Sequence, residues 1–287
     1  MSKDAQQLVW FITGTSSGFG RELVKSAVAR GDLVVATARS LEKIQDFEGL
    51  SNVRTLQLDV TEGLSSIKAK VNQAIGYFGR IDVLVNNAGQ GFKTILEEGG
   101  SDVLRKQFDV NFFGLMDVTN AVLPHMRSVR SGTVVHIGSR SNWCPEIPGI
   151  GAYASSKAAV RVYAETLNAE ISPFGIRSLI VEPGAFRTHS MDAQWSAGTR
   201  IPDYDEMRDA AKARLAMVEK AFRGDPSKAM ELLVDVVRGE GKAAGRPWQL
   251  YLPIGGAATD AISVKAAKMI EVVDEWRDVV ASGLDME

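Results

Sequence analysis

The sequence has almost no cysteine: Cys144 is the one cysteine among 287 residues. A single thiol excludes an internal disulfide and a multi-cysteine metal site. The three histidines, His125, His136 and His189, are far apart and lack the short spacing typical of metal ligands. None of them has the sequence context of a base that would activate Cys144 as a nucleophile. We therefore predict neither a metal centre nor cysteine chemistry.

The chain also lacks a strong net charge and a long apolar run. Its formal charge is -2 at pH 7, its pI is about 6.0, and no basic run is present, so a nucleic-acid partner is not expected. No uninterrupted apolar stretch has the length of a membrane span. The N-terminal residues are polar and lack the apolar core of a secretory signal. These absences predict a soluble, cytoplasmic protein.

What the chain does have is a regular alternation of strand-like and helix-like segments. The run from Leu8 to Ile12 is apolar throughout, as expected of a strand buried on both faces of a parallel sheet. Alternation with short connections predicts right-handed crossovers and an α/β, Rossmann-like, doubly wound parallel sheet with helices on both faces. We predict strands at 8–12, 33–37, 53–58, 83–85, 133–137, 177–181 and 248–252, and helices at 21–30, 41–47, 65–78, 101–127, 153–171, 207–222, 226–238 and 263–280.

One domain over residues 1–287 accounts for this pattern, because 45% hydrophobic residues can build one large core and no linker interrupts the chain. Residues from about 8 to 190 form the predicted cofactor-binding and catalytic core. The pattern loosens after Pro183, and we predict a variable substrate-covering loop and helix at about 188–225. Asp225 and Pro226 predict a helix start, as an N-cap and a proline at the first helical position. Residues 256–287 form a predicted C-terminal extension.

A glycine-rich turn joins the first predicted strand to the first predicted helix. Glycines at such a junction allow a sharp turn and let a pyrophosphate approach the N–H groups at the start of the helix. The spacing is G-x-x-x-G-x-G, and a tight turn without a ligand is the alternative interpretation. The predicted cofactor contacts in this turn are Gly14, Thr15, Ser16, Ser17, Gly18, Phe19 and Gly20.

The end of the second strand predicts which nucleotide binds. Sites for NAD usually place Asp or Glu there, to bind the ribose 2'-hydroxyl. Here the strand ends at Ala38 and Arg39, with no acid at its tip. Arg39 can bind a 2'-phosphate through two charge-assisted hydrogen bonds, so we predict NADP(H) as the cofactor. An ordinary solvated arginine is the alternative.

Two further strand ends complete the predicted nucleotide site. Asp59 and Val60 follow the third strand, at the edge where adenine would lie. An asparagine-rich segment from Asn86 to Gly89 follows the fourth strand, and a plain turn is the alternative there. Its asparagines are expected to bond neighbouring backbone and hold the strand ends apart. The predicted cofactor contacts in this segment are Asn87, Ala88 and Gly89.

A tyrosine and a lysine four residues apart, Tyr153 and Lys157, begin a predicted helix and share one face of it. A free tyrosine has a pKa of roughly 10, too high for a base near neutrality. A nearby ammonium is expected to lower that pKa and to suit proton exchange with an alcohol or carbonyl. The spacing alone is weak evidence. The position after the fifth strand is stronger, because a doubly wound sheet places it at the nicotinamide.

Together these residues resemble the short-chain dehydrogenase/reductase family, in its shorter single-domain branch, over about residues 8 to 190. The resemblance implies a Rossmann-fold oxidoreductase that moves a hydride between a nicotinamide and a carbonyl or alcohol. It depends on motifs that occur in the family's order. They are Thr13 to Gly20, Asp59, Asn86 to Gly89, Ser139 with Tyr153 and Lys157, and Pro183 and Gly184 with Thr188.

The resemblance also implies a role for each catalytic residue. Ser139 and Tyr153 would bind the substrate oxygen, and Tyr153 would donate a proton to the developing alkoxide. Lys157 would bind the nicotinamide ribose, and Asn111 would hold a water that connects Lys157 to solvent. Ser141 is an alternative to Ser139, because the spacing from Ser139 to Tyr153 is one residue longer than is common in the family. The residues implied beside the nicotinamide are Pro183, Gly184, Phe186 and Thr188.

Apolar side chains after the serine and in the covering loop predict a hydrophobic ketone, aldehyde or alcohol as the substrate. The C-terminal part loosely resembles the steroid- and retinol-type members of the family. The resemblance further implies a homodimer or homotetramer through the helices that carry Asn111 and Tyr153. A regulatory protein that senses NADP(H) with little catalysis is the alternative function. The predicted substrate-pocket residues are Trp143, Cys144, Phe186, Met191 and Trp195.

Overall fold

The computed structural model describes residues 7–188, 195–196 and 198–281. Within these ranges seven strands form a parallel sheet in the order β3-β2-β1-β4-β5-β6-β7. The predicted Rossmann-like, doubly wound parallel sheet is therefore confirmed. The strands are β1 (Val9–Ile12), β2 (Leu33–Ala38), β3 (Val53–Gln57), β4 (Val83–Asn86), β5 (Gly132–Ile137), β6 (Ile176–Pro183) and β7 (Tyr251–Ile254).

Helices cover both faces of the sheet. Short 3₁₀ segments lie in several connections, including Leu41–Phe47 between β2 and β3, where a helix was predicted at 41–47. The α-helices are α1 (Gly18–Ala29), α2 (Leu64–Phe78), α3 (Leu96–Phe108), α4 (Leu115–Val129), α5 (Gly151–Ile171), α6 (Asp205–Lys220), α7 (Pro226–Arg238) and α8 (Gly256–Val280). None of the helices in the described ranges is both long enough and apolar enough to cross a membrane.

Burial on both faces explains why the strands are apolar throughout. Trp10 and Ile12 belong to a core that includes residues of α1 and α7, whereas Phe11 belongs to a core with α2 and α4. Successive strand residues point to opposite faces, so a strand between two helical layers needs an apolar side chain at every position. Each such side chain contributes about 1.5–3 kcal/mol when it is fully buried.

The predicted single helix at 101–127 is wrong in one respect. The helical segment begins earlier, at Leu96, and a π-helical stretch (Asp109–Gly114) separates α3 from α4. Such a stretch inserts an extra residue into the helix and rotates the side chains that it carries. Asn111 lies in this stretch, and the apolar periodicity of the sequence carried no sign of the interruption.

The C-terminal strand is also displaced from its predicted position. We predicted 248–252, but β7 is Tyr251–Ile254 and includes Pro253, which an edge strand tolerates because one side of it needs no hydrogen bonds. Trp248 precedes the strand, donates its indole N–H to the Ser178 carbonyl at 3.1 Å and packs against the Arg177 guanidinium. Its apolar character therefore reflects packing beside the sheet.

The two C-terminal helices differ in how closely they follow their predicted starts. The predicted helix start at Asp225 is present, with the Asp225 carboxylate accepting the Ser227 N–H at 2.9 Å. The last helix, α8, begins at Gly256 and is longer than the predicted 263–280. Gly255, with a φ of 87°, is the N-cap, so the helix follows β7 without a loop.

Candidate active site

The residues predicted for the cofactor and for catalysis meet in one cavity at the carboxyl edge of the sheet. The cavity has a volume of about 1050 Å³ and extends from the ends of β2 and β3 to the first turn of α5. All of those residues line it except Thr15, Gly20 and Asn111. Thr15 lies behind the glycine turn, where its hydroxyl donates to the Thr37 carbonyl at 3.1 Å.

Close backbone contacts explain the glycine turn. Gly14 has a φ of +70°, and a Cβ there would lie 2.8 Å from the Cα of Ala88. A Cβ on Gly20 would overlap the side-chain amide of Asn87. The helix α1 begins at Gly18, at the cavity wall, and the first N–H groups of a helix, which have no partner within it, are donors suited to a phosphate group.

The asparagine-rich segment ties the end of β4 to this turn. The Asn87 amide donates to the carbonyls of Thr13 at 2.8 Å and Gly14 at 2.9 Å. The Thr13 hydroxyl accepts the N–H groups of Asn87 and Ala88 at 3.0 and 2.9 Å. Asn86 is buried and donates to the Thr119 hydroxyl at 2.8 Å. Asn87 therefore bonds neighbouring backbone, as expected, and fixes the position of the end of β4 relative to the glycine turn.

Arg39 and Asp59 lie at the opposite end of the cavity from α5. Arg39 is exposed, and within the described ranges no hydrogen bond holds its guanidinium. Partial burial raises the pKa of Asp59, but hydrogen bonds from Thr61 and the charge of Arg39 hold it below its usual value. The cavity therefore ends in an ionised carboxylate beside an arginine that remains available to a second anion.

The serine, tyrosine and lysine lie together at the inner end of the cavity. Ser139 follows β5, and its hydroxyl donates to the Ser141 hydroxyl at 3.1 Å, so the alternative serine lines the cavity beside it. Tyr153 is in the first turn of α5, and its ring centroid is 5.9 Å from the Lys157 Nζ. Lys157 donates to the Ile137 carbonyl at 2.7 Å. One wall therefore carries three hydroxyl groups and an ammonium.

Comparison with known proteins matches this arrangement. The family model for short chain dehydrogenases matches residues 8–198. The chain belongs to that family. A 3-ketodihydrosphingosine reductase of Bacteroides thetaiotaomicron is 38% identical over 218 residues, which are 76% of this chain and 78% of that protein. Oxidoreductase BOA17 of Botryotinia fuckeliana is 32% identical, over 94% of this chain and 97% of that protein.

A solved structure agrees. The crystal structure of a short-chain dehydrogenase from Streptomyces avermitilis is 34% identical and has a TM-score of 0.83, over 98% of this chain and 100% of that chain. This short-chain dehydrogenase is accordingly an oxidoreductase of a family that acts on CH–OH and C=O groups.

The pKa values in this short-chain dehydrogenase differ from our expectation. Burial raises the pKa of the Tyr153 phenol, as does the charge of Glu182, while a hydrogen bond with Ser139 lowers it. Burial also lowers the pKa of Lys157 to about 8, against the opposing effect of Glu182. The prediction that the ammonium lowers the tyrosine pKa is wrong here, because desolvation of the phenol is the larger effect. The tyrosine keeps its proton near neutrality, the form needed to protonate an alkoxide.

Glu182, which the sequence analysis did not select, is buried at the end of β6 behind the serine. Its carboxylate accepts the Ser139 N–H at 2.7 Å and the Asn142 amide at 3.0 and 3.1 Å. Burial raises its pKa to about 7, although these donors and the charge of Lys157 oppose the shift. The sequence feature that could have identified Glu182 is its position as the one acid in the apolar run of β6. A charged side chain is buried in a strand only when hydrogen-bond or ion-pair partners compensate it.

We expect Glu182→Gln to lower kcat about tenfold with little change in KM. The amide would present a donor to Ser139 N–H or to Asn142, losing a charge-assisted hydrogen bond of about 1.5–3 kcal/mol and displacing the serine. The ionised form of Glu182 makes these bonds, so the wild-type rate should rise as pH passes about 7. That rise should be missing in the variant. An unchanged pH–rate profile would assign Glu182 a structural role only.

Asn111 lies behind the cavity. Its side-chain oxygen accepts the Gln90 N–H at 2.9 Å, and its amide donates to the Gln90 carbonyl at 2.9 Å and the Ser156 hydroxyl at 3.1 Å. A Cβ on Gly89 would lie 3.4 Å from the Asn111 oxygen and 3.7 Å from the Lys157 Nζ, so both groups flank that glycine. Asn111 thus holds the segment that lines the cavity beside Lys157, and its role towards a water stays a prediction.

The predicted substrate pocket is partly assembled. Cys144, Phe186 and Trp195 line the cavity, and Met191 lies outside the described residues. Trp143 does not line it, because its ring packs under the Arg161 guanidinium at 4.7 Å. The helix α6 forms one wall of the cavity. The hydrophobic pattern of the sequence did not indicate this, because the helix is mostly polar. Apolar lining residues that the sequence did not indicate include Ile147, Ile150, Leu215, Val218 and Phe222.

His136 is buried in β5, and its ring stacks edge-on against Tyr163 with 6.2 Å between centroids. Neither ring nitrogen has a hydrogen-bond partner in the part of the chain that the structure describes. Burial lowers its pKa to about 3, and the charge of Lys157 adds to this. In the same described ranges, no three His, Cys, Asp or Glu side chains cluster as metal ligands; His189 lies outside them.

We therefore expect His136→Phe to remove part of the acid sensitivity of folding. The histidine pKa is lower in the folded state, so stability is lost as pH falls from about 6.5 towards 3. Between pH 6.5 and 4.5 this loss amounts to about 2–3 kcal/mol, and the raised pKa of Glu182 acts in the opposite direction over the same interval. Urea unfolding from pH 4.5 to 8 should show a flatter acid side in the variant. Parallel curves would contradict the assignment.

Proposed function

We propose that this protein is an NADP(H)-dependent oxidoreductase that reduces a hydrophobic ketone or aldehyde, or oxidises the corresponding alcohol. The observation that carries the proposal is the shared cavity: Ser139, Tyr153 and Lys157 line the space that also contains the glycine turn and Arg39. Proton-donating groups at one end and phosphate-binding groups at the other fit a dinucleotide whose nicotinamide lies beside α5.

The residues present fit such a cofactor. A Cβ on Gly14 would close the turn, and the start of α1 offers free N–H groups to a pyrophosphate. When bound, the nicotinamide supplies or accepts the hydride. Pro183, Gly184 and Thr188 line the same cavity, and Thr188 lies beside Gly18 of the glycine turn, within reach of a phosphate or the nicotinamide.

The chain's own residues then handle the proton and the charge. The Ser139 and Tyr153 hydroxyls bind the substrate oxygen, and Tyr153 donates its proton as negative charge develops there. Lys157 places a positive charge behind the phenol and stabilises that oxygen as the proton leaves. In the oxidation direction the phenolate form of Tyr153 accepts the alcohol proton, so the raised pKa of the phenol favours reduction near neutrality. Each contact strengthens in the transition state, so each should affect kcat more than KM.

The choice of cofactor and the substrate class are supported separately. Arg39 at the end of β2, with no acid at that tip, favours a 2'-phosphate and so NADP(H). The apolar wall from α6 and the segment after Ser139 favours a hydrophobic substrate. The relative named 3-ketodihydrosphingosine reductase adds a long-chain ketone to the candidates.

A substrate screen tests the proposal. Purified protein would be mixed with NADPH or NADH and with aliphatic, steroid, polyketide-like and long-chain sphingoid ketones, and loss of nicotinamide absorbance would be followed. We expect turnover with at least one hydrophobic class, faster with NADPH. Tight NADPH binding without turnover of any ketone or alcohol would instead favour a cofactor-sensing protein.

A further inference from the structure

The last helix, α8, has almost no contact with the rest of the chain. Ala258 is its one buried residue in the described range, and every residue from Ala266 to Val280 is exposed. A helix gains most of its stability in proteins by packing an apolar face. The exposed part from Ala266 to Val280 is short enough to be only marginally stable as an isolated helix in water. The free part of α8 therefore lacks the contact that would normally stabilise it.

The helix α8 carries an apolar seam that begins one turn before its exposed part and repeats with the spacing of a coiled coil. Six apolar residues follow one another alternately four and three positions apart, which is the narrow stripe of a coiled-coil helix. Four of these side chains are 49–54% exposed. The seam consists of Ile262, Ala266, Met269, Val273, Trp276 and Val280.

The seam is complementary to itself when it is reversed end to end. With the axis of reversal at Glu271, Trp276 lies opposite Ala266 of the reversed helix, Met269 opposite Val273, and Ile262 opposite Val280. The largest side chain of the seam therefore meets the smallest, which is how layers of a packed helix pair fill their space. A parallel pair would place two Trp276 rings in one layer and two alanines in another.

The charges of α8 favour the same arrangement. Its first half carries Lys265 and Lys268 against Asp260, and Lys265 also contacts Glu146 at 3.1 Å. Its second half carries four acids, Glu271, Asp274, Glu275 and Asp278, against Arg277. Reversal about Glu271 places Lys268 opposite Asp274 and Lys265 opposite Arg277, so the half with a small positive charge lies beside the acidic half, whereas parallel helices would place the acids side by side. The acidic half also disfavours an anionic membrane surface as the partner.

We propose that α8 is a self-association site, on which the α8 of a second copy of this chain packs antiparallel, with Trp276 of each copy over Ala266 of the other. The pairing is isologous, so it closes as a two-fold dimer or joins two dimers formed elsewhere on the surface. It is a different surface from the helical segments that carry Asn111 and Tyr153, which the family resemblance implies for assembly.

Sedimentation of the full chain tests the surface. We expect Val273→Asp, within the seam, to halve the mass of the assembled species, because it buries a carboxylate in each copy of the pair. The control Val264→Asp lies on α8 outside the seam, is 70% exposed, and should leave the mass unchanged. A wild-type chain that is monomeric at the same concentration, or one that binds vesicles and does not self-associate, would overturn the proposal. So would equal effects of the two variants.

Oxidative cross-linking tests the orientation. In the antiparallel pair Val272 of each copy lies beside the axis, so Val272→Cys should form a dimer through an intermolecular disulfide. Val280→Cys should not, because 18 positions at 1.5 Å each put the two thiols about 27 Å apart along the pair. Cys144 is present in both variants and provides the same background. Cross-linking at 280 alone, or at neither position, would contradict the antiparallel pairing.

Discussion

Replacing Tyr153 with phenylalanine should lower kcat about 10²–10⁴-fold while NADPH binding is retained. The phenol lines the cavity, and burial keeps its proton in place near neutrality, so the variant loses the acid that protonates the alkoxide. The ring itself remains and still fills its place beside Lys157. Binding of NADPH followed by fluorescence, and turnover of the best ketone from the screen, separate the two effects.

Tyr163→Phe is the matched control for this experiment. Tyr163 lies on the same helix, and its ring packs edge-on against Phe112 and His136, away from the cavity. Loss of its hydroxyl should leave kcat within a few-fold of the wild type. Comparable losses in both variants would indicate general damage to α5, and full turnover in Tyr153→Phe would remove Tyr153 from the chemistry.

Replacing Arg39 with aspartate should move the preference from NADPH to NADH by two orders of magnitude or more. Two charge-assisted hydrogen bonds to a 2'-phosphate are worth about 1.5–3 kcal/mol each, and the new carboxylate would repel that phosphate while accepting a ribose hydroxyl. The ratio of kcat/KM for the two cofactors measures the change.

Arg39→Gln separates attraction from repulsion. It removes the cation without adding a charge, so NADPH turnover should weaken while NADH turnover stays near the wild-type value. Asp59 lies beside Arg39, and its carboxylate is ionised. In both variants that carboxylate is no longer balanced by a positive charge, so it repels the 2'-phosphate more strongly. A wild-type ratio in both variants would refute the role of Arg39 in cofactor choice.

The sheet could be predicted from sequence because its physics is local and repetitive. A strand covered on both faces must be apolar at every position, and short connections leave few topologies. The glycine turn, Tyr153 and Lys157 were selected for the same reason, since each depends on the position at which a strand ends. Their meeting in one cavity followed from the order of the strands.

What the sequence could not supply depends on contacts between distant segments. The π-helical stretch at Asn111 leaves no mark on the hydrophobic pattern of the sequence. The role of Glu182 depends on hydrogen-bond donors that lie 40 and 43 positions away in the chain. The pKa of Tyr153 was predicted in the wrong direction because spacing reveals a neighbouring charge but not the depth of burial. The cavity wall from α6 was missed because that helix is mostly polar.

The most direct test of the central claim is the fate of an isotope. The protein would be incubated with NADPH carrying deuterium at both C4 positions and with a ketone found by the screen. Mass spectrometry of the alcohol should show one deuterium on the carbinol carbon, in yields that fall with Tyr153→Phe and not with Tyr163→Phe. An alcohol without deuterium, or the same yield from all three proteins, would contradict hydride transfer assisted by Tyr153.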